Sequence, residues 1–383
     1  MRKLRVALVG CGQIADAHLQ EIRKIQLAEL VAVCDRECDL AEQAAARFQV
    51  RRVFDDLGAM LTHVRPDVLH ITTPPHTHRR LALQALATGA HVYVEKPFTL
   101  DVAEADEVLK AARAHGRSVC VGHDQLFDPV WQQCREHIRV GRLGRIVHVD
   151  SIQGYDLASP FGKILASEPD HWVHGMPGGL FQNVMSHALY RVADLMPDAE
   201  PHVRSMSFGC VPGSATRTEL RVMLRGAEVT ANLMFSSAMR PVQRAARIYG
   251  TAAQLDVDLD GGTIREGRAL TAPGAFKTIQ APARHLAEAS RALARSLIRF
   301  ARGDIHYFAG MHRLFTLFYE SIRDGTEPPI APADIRRVTA IMDDIFRVQT
   351  DETTNRSSPR CARRLRQLPV AERLVTSCGG CAR

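Results

Sequence analysis

Long apolar runs are missing from this chain. No stretch of the 383 residues approaches the ~20 apolar residues that a membrane helix needs. The opening MRKLRVALVGCG starts basic, but its apolar run is short and ends in glycines, without a signal peptide's length or cleavage site. A cytoplasmic protein with no membrane partner is expected. A strong charge bias is also missing. The net charge is +7, and residues 351–383 carry +4 of it, with seven arginines against Asp351, Glu352 and Glu372. Residues 1–350 are then only mildly basic, which argues against a nucleic-acid partner. The nine cysteines suggest no disulfide framework. Their number is odd, and Cys11, Cys34, Cys38, Cys120, Cys134 and Cys210 are scattered. Cys378 and Cys381 form a lone CxxC without the second pair that zinc needs, and Cys361 does not supply one. No metal is expected. Neither internal repeats nor a composition typical of disorder is found: 46% of residues are hydrophobic and 24% charged.

What is present is an alternation. Apolar runs at Leu4–Val9, Leu30–Cys34, Val68–Thr72, His91–Val94 and Ser118–Val121 are separated by helical patterns, several ended by glycine. This predicts a doubly wound parallel sheet with helices on both faces over residues 1–124. After a helix near Pro129–Val140 the texture changes. Strand patterns at 145–155, 203–210, 219–224, 228–236, 243–249 and 254–259 predict an open, mainly antiparallel sheet. The long helix 180–196 lies among them, after a loop over 159–179, and helices near 285–301, 307–323 and 332–349 follow. Residues 125–350 thus read as a second, α+β domain. Residues 351–383 read as a disordered basic tail. Met206, Phe208, Met223, Leu233 and Phe235 are expected on a free sheet face, through which a homodimer or homotetramer would pack.

Gly10-Cys11-Gly12-Gln13-Ile14-Ala15 is G-x-G-x-x-A between a strand and a helix. The first glycine permits the tight turn, the second lets a pyrophosphate approach, and the small third residue lets the helix pack on the strand. Helix N-terminal N–H groups favour that anion. Asp35 ends the second strand, where an acid binds ribose hydroxyls and repels a 2′-phosphate. NAD is the expected cofactor. Arg36 either stacks on adenine or pairs with that phosphate, so NADP stays open.

Three further motifs accompany the fingerprint. Thr72-Thr73-Pro74-Pro75-His76-Thr77-His78 follows one strand, and Glu95-Lys96-Pro97 follows the next. Pro177-Gly178-Gly179-Leu180-Phe181-Gln182-Asn183-Val184-Met185-Ser186-His187 opens the long helix. Together these resemble the Gfo/Idh/MocA oxidoreductases, the glucose–fructose oxidoreductase and inositol dehydrogenase group, over about residues 3–350. The resemblance implies a Rossmann nucleotide domain, a second domain on an open sheet, and substrate in the cleft between them. It implies hydride transfer between NAD(P) and a hydroxyl-bearing carbon of a sugar, cyclitol or sugar nucleotide. It places Lys96 beside nicotinamide and substrate, and makes His187 the acid/base.

The residues support these roles chemically. Lys96 lies at the C-terminal end of a parallel strand, where such sheets bind ligands, and a lysine there stabilises negative charge on a substrate oxygen. Thr73, Pro74 and Glu95 share that edge. His76 and His78 either line the cofactor or cap the next helix. On helix 180–196 an apolar stripe faces one way, and Asn183, His187, Tyr190 and Asp194 lie on the other face. Trp172 and His174 add expected substrate contacts. His171, His174 and His187 lack the carboxylate spacing of a metal site. Where the family has an aspartate four residues before the histidine, this chain has Asn183, which carries no charge to raise the histidine's pKa. The competing reading is a non-catalytic NAD(P)- and sugar-binding sensor of the same fold.

Overall fold

The computed structural model describes residues 2–168, 170–211, 216–301 and 308–356. The first half forms β1 (Leu4–Val9), α1 (Ala15–Lys24), β2 (Ala28–Cys34), α2 (Cys38–Phe48), β3 (Val53–Phe54), α3 (Leu57–Val64), β4 (Val68–Ile71), α4 (His78–Ala87), β5 (His91–Val94), α5 (Val102–Ala114) and β6 (Val119–Val121). The strands make one parallel sheet in the order β3-β2-β1-β4-β5-β6. These strands are buried on both faces, which is why they read as continuous apolar runs rather than alternations. The order reverses between β1 and β4, and the crevice outside that point is where such sheets take ligands.

The second half contains α6 (Pro129–Arg139), β7 (Ile146–Gly154), α7 (Pro160–Ser167), α8 (Gly179–Ala193), β8 (His202–Cys210), β9 (Arg217–Arg225), β10 (Thr230–Ser236), β11 (Arg244–Gly250), β12 (Gln254–Asp258), β13 (Thr263–Gly267), α9 (Lys277–Ala301), α10 (Ala309–Asp324) and α11 (Pro332–Arg356). Its sheet runs β13-β12-β11-β7-β10-β9-β8. All neighbours are antiparallel except β7 and β10, so the sheet is mixed at its centre. Two-residue β3 and the edge strand β13 both escape the sequence reading. The expected loop 159–179 contains α7. It is capped by Ser159, whose hydroxyl accepts from the Gly162 N–H at 3.1 Å, with Pro160 at the first helical position. Helix α11 continues to Arg356, six residues into the expected disordered tail. The rest of that tail, with Cys361, Cys378 and Cys381, lies outside the described residues.

One face of the second sheet is covered by α8. Leu220, Val222, Leu233 and Phe235 point into that layer and are buried. The expectation that Leu233 and Phe235 lie on the free face is therefore corrected: strand alternation sends them to the opposite side from Met206, Phe208 and Met223. These three are 41–64% exposed. One apolar cluster runs through both halves, from Val6 to Phe346, and a second, smaller one joins α1 and α2 to β1 and β2. Helix α10 supplies Phe315, Phe318 and Tyr319 against Tyr93 and His70 of the first sheet.

Helix α9 is inverted. Its charged side, with Arg284, Glu288, Arg291 and Arg295, lines a cavity of about 440 Å³ against Gln133 and His137 of α6 and Ile264 and Glu266 of β13. Its apolar stripe faces outward: Ile279, Leu286, Leu293, Leu297, Ile298 and Phe300 are 51–74% exposed. No helix among the described residues is long and apolar enough to cross a membrane.

Candidate functional site

The glycine turn closes the C-terminal end of β1. Gly10 adopts φ +98°, and a Cβ there would lie 2.6 Å from Thr73 Cγ2 and 2.7 Å from Thr73 N. Glycine is needed because the β1 and β4 edges touch. Gly12 differs: nothing lies within 4 Å of a Cβ built on it. It leaves open space at the start of α1, where free N–H groups point. Gln13 is exposed and Ile14 half-buried beside it. Asp35 accepts from Cys11 N–H at 2.6 Å and from Glu37 N–H at 3.0 Å. Its carboxylate is thereby held at the tip of β2 next to the turn. Arg36 is almost fully exposed and pairs with Glu37 at 3.2 Å, so in this state it does not face the turn.

The β4 edge contributes Thr73, whose hydroxyl lies 2.5 Å from that of Thr77, with half-buried Pro74 beside it. His78 is fully buried. Its Nε2 lies 2.7 Å from Thr73 O, and its Nδ1 lies 3.1 Å from both Pro97 O and Phe98 O. His78 thus joins the β4 and β5 loops, and no ring nitrogen is left for a cofactor contact. Nor does it make a capping hydrogen bond to α4, the other role open to it. His76 is exposed.

The β5 edge carries Glu95 and Lys96, and the Lys96–Pro97 peptide is cis. Glu95 is buried. Its Oε1 lies 2.9 Å from His18 Nε2, and its Oε2 accepts from Lys96 N–H at 3.0 Å. Behind it His18 Nδ1 meets His70 Nδ1 at 3.0 Å, and His70 Nε2 meets the Tyr319 hydroxyl at 2.8 Å. A polar chain therefore runs from the site through the first sheet to α10. Burial works to raise the Glu95 pKa, but His18 and Lys96 outweigh it and hold Glu95 below the usual carboxylate value.

Lys96 reaches across to α8. Its Nζ donates to Asn183 O at 3.2 Å and lies 3.4 Å from Asn183 Oδ1. Burial lowers the Lys96 pKa, while Glu95 and Asp124 oppose that. Asn183, the uncharged residue four before His187, holds the lysine in this structure. Helix α8 is aimed at the site by its entry. A Cβ on Gly178 would lie 2.4 Å from the Phe346 ring, so α11 packs directly on that turn, and Gly179 takes φ +51°. One turn beyond Asn183, His187 Nδ1 lies 2.7 Å from the Tyr190 hydroxyl. Tyr190 in turn donates to Asp124 Oδ1 at 3.2 Å, and Asp124 lies 4.0 Å from His187 Nδ1. Burial pushes the His187 pKa well below its ordinary value, and Lys96 and Arg191 push the same way. Asp194, on the same helix face in the sequence reading, turns away to Trp131 and Arg135. Trp172 packs on His171, and the exposed His174 places Nε2 3.0 Å from Leu165 O.

Three site residues escape the sequence reading. Asp124 follows β6 at the same sheet edge, and that position was its available signal. Burial, with Glu95 and Asp128 nearby, raises its pKa to about 7. Gln125 gives its backbone N–H to Asp124 Oδ1 at 2.9 Å and, more weakly, to the Tyr190 oxygen at 3.3 Å. Arg191, on the buried side of α8, is fully buried and donates to Ile152 O at 2.9 Å, Ser151 Oγ at 3.1 Å, and Gln125 Oε1. Burial lowers its pKa to about 10. A buried arginine without a carboxylate partner leaves no sequence signature.

With this geometry in hand, comparisons with known proteins are informative. Residues 4–123 match a family model described as "Oxidoreductase family, NAD-binding Rossmann fold", and residues 131–256 match the GFO/IDH/MocA C-terminal domain. The first domain is thus an NAD-binding Rossmann domain. D-glucoside 3-dehydrogenase of Escherichia coli is 38% identical over 144 residues, covering 37% of this chain and 41% of that protein. The chain spans under half the length of this and of the next three curated relatives it matches. UDP-N-acetylglucosamine 3-dehydrogenase of Acidithiobacillus ferrooxidans is 27% identical over 69% of this chain and 77% of its own. The WlbA dehydrogenase of Bordetella pertussis, solved with NADH and UDP-GlcNAcA, shares the fold with a TM-score of 0.75. It is 22% identical, over 92% of this chain and 96% of its own. By its two matching domains, in the order the fold displays them, the chain belongs to the Gfo/Idh/MocA oxidoreductase family.

Proposed function

We propose that the protein is an NAD(P)-dependent oxidoreductase acting on a hydroxyl-bearing carbon of a sugar, cyclitol or sugar nucleotide. The observation that carries this reading is the meeting of Lys96 with α8 one turn before His187, at the sheet edge that also holds Gly12 and Asp35. The glycine turn, the first turn of α1 and Asp35 would hold the cofactor, and the room at Gly12 fits a pyrophosphate. When bound, NAD(P) supplies the hydride acceptor or donor. The chain's residues do the rest. Lys96, released toward the substrate from its contact with Asn183, holds the reacting oxygen and stabilises its negative charge. His187 takes or returns the hydroxyl proton. Relatives named as dehydrogenases of a glucoside, an inositol and a UDP-sugar support this substrate class.

The test is a screen of sugars, cyclitols and nucleotide sugars for a change in nicotinamide absorbance, followed by single-turnover kinetics. His187→Ala should slow hydride transfer by ~10²–10⁴-fold while NAD affinity barely changes. Binding of sugar and NAD without turnover by any compound would favour the sensor instead. We further propose that copies of the chain associate as a homodimer or homotetramer through the open sheet face bearing Met206, Phe208 and Met223. Leaving so much apolar side chain in water is costly.

A further inference from the structure

We propose that the carboxylate missing at position 183 is supplied from Asp124 through Tyr190. In this relay the substrate proton taken at His187 Nε2 ends on Asp124, and His187 never becomes an imidazolium. The inference rests on the oxidoreductase reading for its use, but not for its geometry.

A tyrosine hydroxyl has one proton to give and two lone pairs. The Tyr190 hydroxyl gives its proton to Asp124 Oδ1 at 3.2 Å. It accepts from the Gln125 N–H at 3.3 Å, a group that can only donate. Its remaining neighbour is His187 Nδ1 at 2.7 Å, so while Asp124 is ionised and takes the tyrosine proton, Nδ1 carries a hydrogen and donates. In a neutral ring that leaves Nε2 as a bare acceptor, and Nε2 has no partner among the described residues. This is the tautomer a general base requires.

The same wiring carries the proton onward. As an alcohol O–H gives its proton to Nε2, Nδ1–H passes its own to the Tyr190 oxygen. Tyr190 passes its hydrogen to Asp124. Alcohol, oxidised nicotinamide and carboxylate become carbonyl, reduced nicotinamide and carboxylic acid, and His187 ends neutral with its hydrogen on Nε2. Reduction runs the chain backwards. The surroundings favour this route over a charged ring. His187 faces Lys96 from the β5 edge, Arg191 on its own helix, Arg244 on β11 and His123 after β6; each opposes an imidazolium, as does burial. Asp124 faces Glu95, Asp128, Lys96 and Tyr190. It titrates near neutrality, so it can both receive and release a proton. Tyr190 and Asp124 are thus positioning residues that act through His187.

The test needs no substrate. The full chain is labelled with ¹⁵N-histidine, and the ring nitrogens of His187 are identified by difference against His187→Gln. At pH 8 the wild type should show hydrogen on Nδ1 and a bare Nε2. Lowering the pH to 5.5 should move the hydrogen to Nε2 without producing the doubly protonated ring. Tyr190→Phe should cost the Nδ1–H preference at pH 8. Asp124→Asn should abolish the pH dependence. Thermal melting of each variant shows whether it is folded, and the two substitutions offer independent routes to the same answer. An imidazolium forming between pH 8 and 5.5, or a wild-type ring with hydrogen on Nε2 at pH 8, would overturn the relay. Failure of every compound to turn over would sink the oxidoreductase reading and leave this measurement standing.

Discussion

Exchanging Gly10 and Gly12 for alanine, one at a time, separates the two demands placed on the glycine turn. At Gly10 the backbone sits at φ +98°, which L-residues disfavour by ~1–2 kcal/mol. The added methyl would also lie 2.6–2.8 Å from Thr73 and from the Thr72 carbonyl carbon, and overpacking of that kind costs ~1–3 kcal/mol. Gly10→Ala should therefore destabilise the protein by about 3 kcal/mol, a fall in Tm of roughly 4 °C for a chain of this length. At Gly12 the methyl meets nothing within 4 Å. Gly12→Ala should melt within about 0.5 kcal/mol of the wild type, but its methyl occupies the room a pyrophosphate would use. NAD affinity should fall at least ~tenfold, about 1.4 kcal/mol. Circular-dichroism melts and calorimetric NAD titrations on the two variants provide the four numbers. If Gly10→Ala melts like the wild type, the close approach of β1 and β4 is wrong. If Gly12→Ala binds NAD undiminished, the cofactor does not lie on that turn.

Three further outcomes are expected. Asp35→Asn keeps the shape of the side chain but removes the charge that repels a 2′-phosphate, so the ratio of NADP to NAD affinity should rise ~tenfold or more by titration; an unchanged ratio removes Asp35 from cofactor choice. Asp124 has a native pKa of about 7 against an ordinary 3.8, so between these values the native state holds a proton that the unfolded chain has lost, and stability falls as pH rises by up to ~1.4 kcal/mol per unit. Asp124→Asn should accordingly melt above the wild type at pH 8 and lose that advantage at pH 4; an advantage that does not depend on pH would contradict the sign. Phe208→Glu with Met223→Glu places two charges on the open sheet face, and light scattering should show smaller particles with an unchanged melting curve, whereas an unaltered assembly would exclude that face as the interface.

The parallel sheet was legible because its strands, buried on both sides, read as apolar runs and its turns carry glycine and proline. The second sheet was legible strand by strand, but its faces were not. Met206 and Phe235 look alike in sequence, and only the register, with Met206 beside Arg221 and Leu220 beside Phe235, assigns them to opposite sides. Lys96 and His187 stood out because motifs mark them, and the structure places both at the α8 face. His78 carried the same kind of signal but lies under the loops it joins. Asp124 and Arg191 were hidden for the opposite reason. Their partners are 65 or so positions away in the chain, on elements whose approach no local pattern records. The inversion of α9 was equally invisible. Its periodicity shows an apolar stripe but not which way the stripe points.

The return of α10 to the first sheet has a consequence for how the protein is made. The rings of His70 and Tyr93 are finished by Phe315 and Tyr319, and Glu21 on α1 meets His312 at 3.0 Å. The amino-terminal half therefore leaves the ribosome with an open seam in its interior. That seam cannot close until about 190 further residues have been translated. During that interval the nascent half-protein carries exposed aromatic surface, with His70 Nε2 still without Tyr319, the condition under which chaperones bind. The first sheet is thus finished by residues from the far end of the chain.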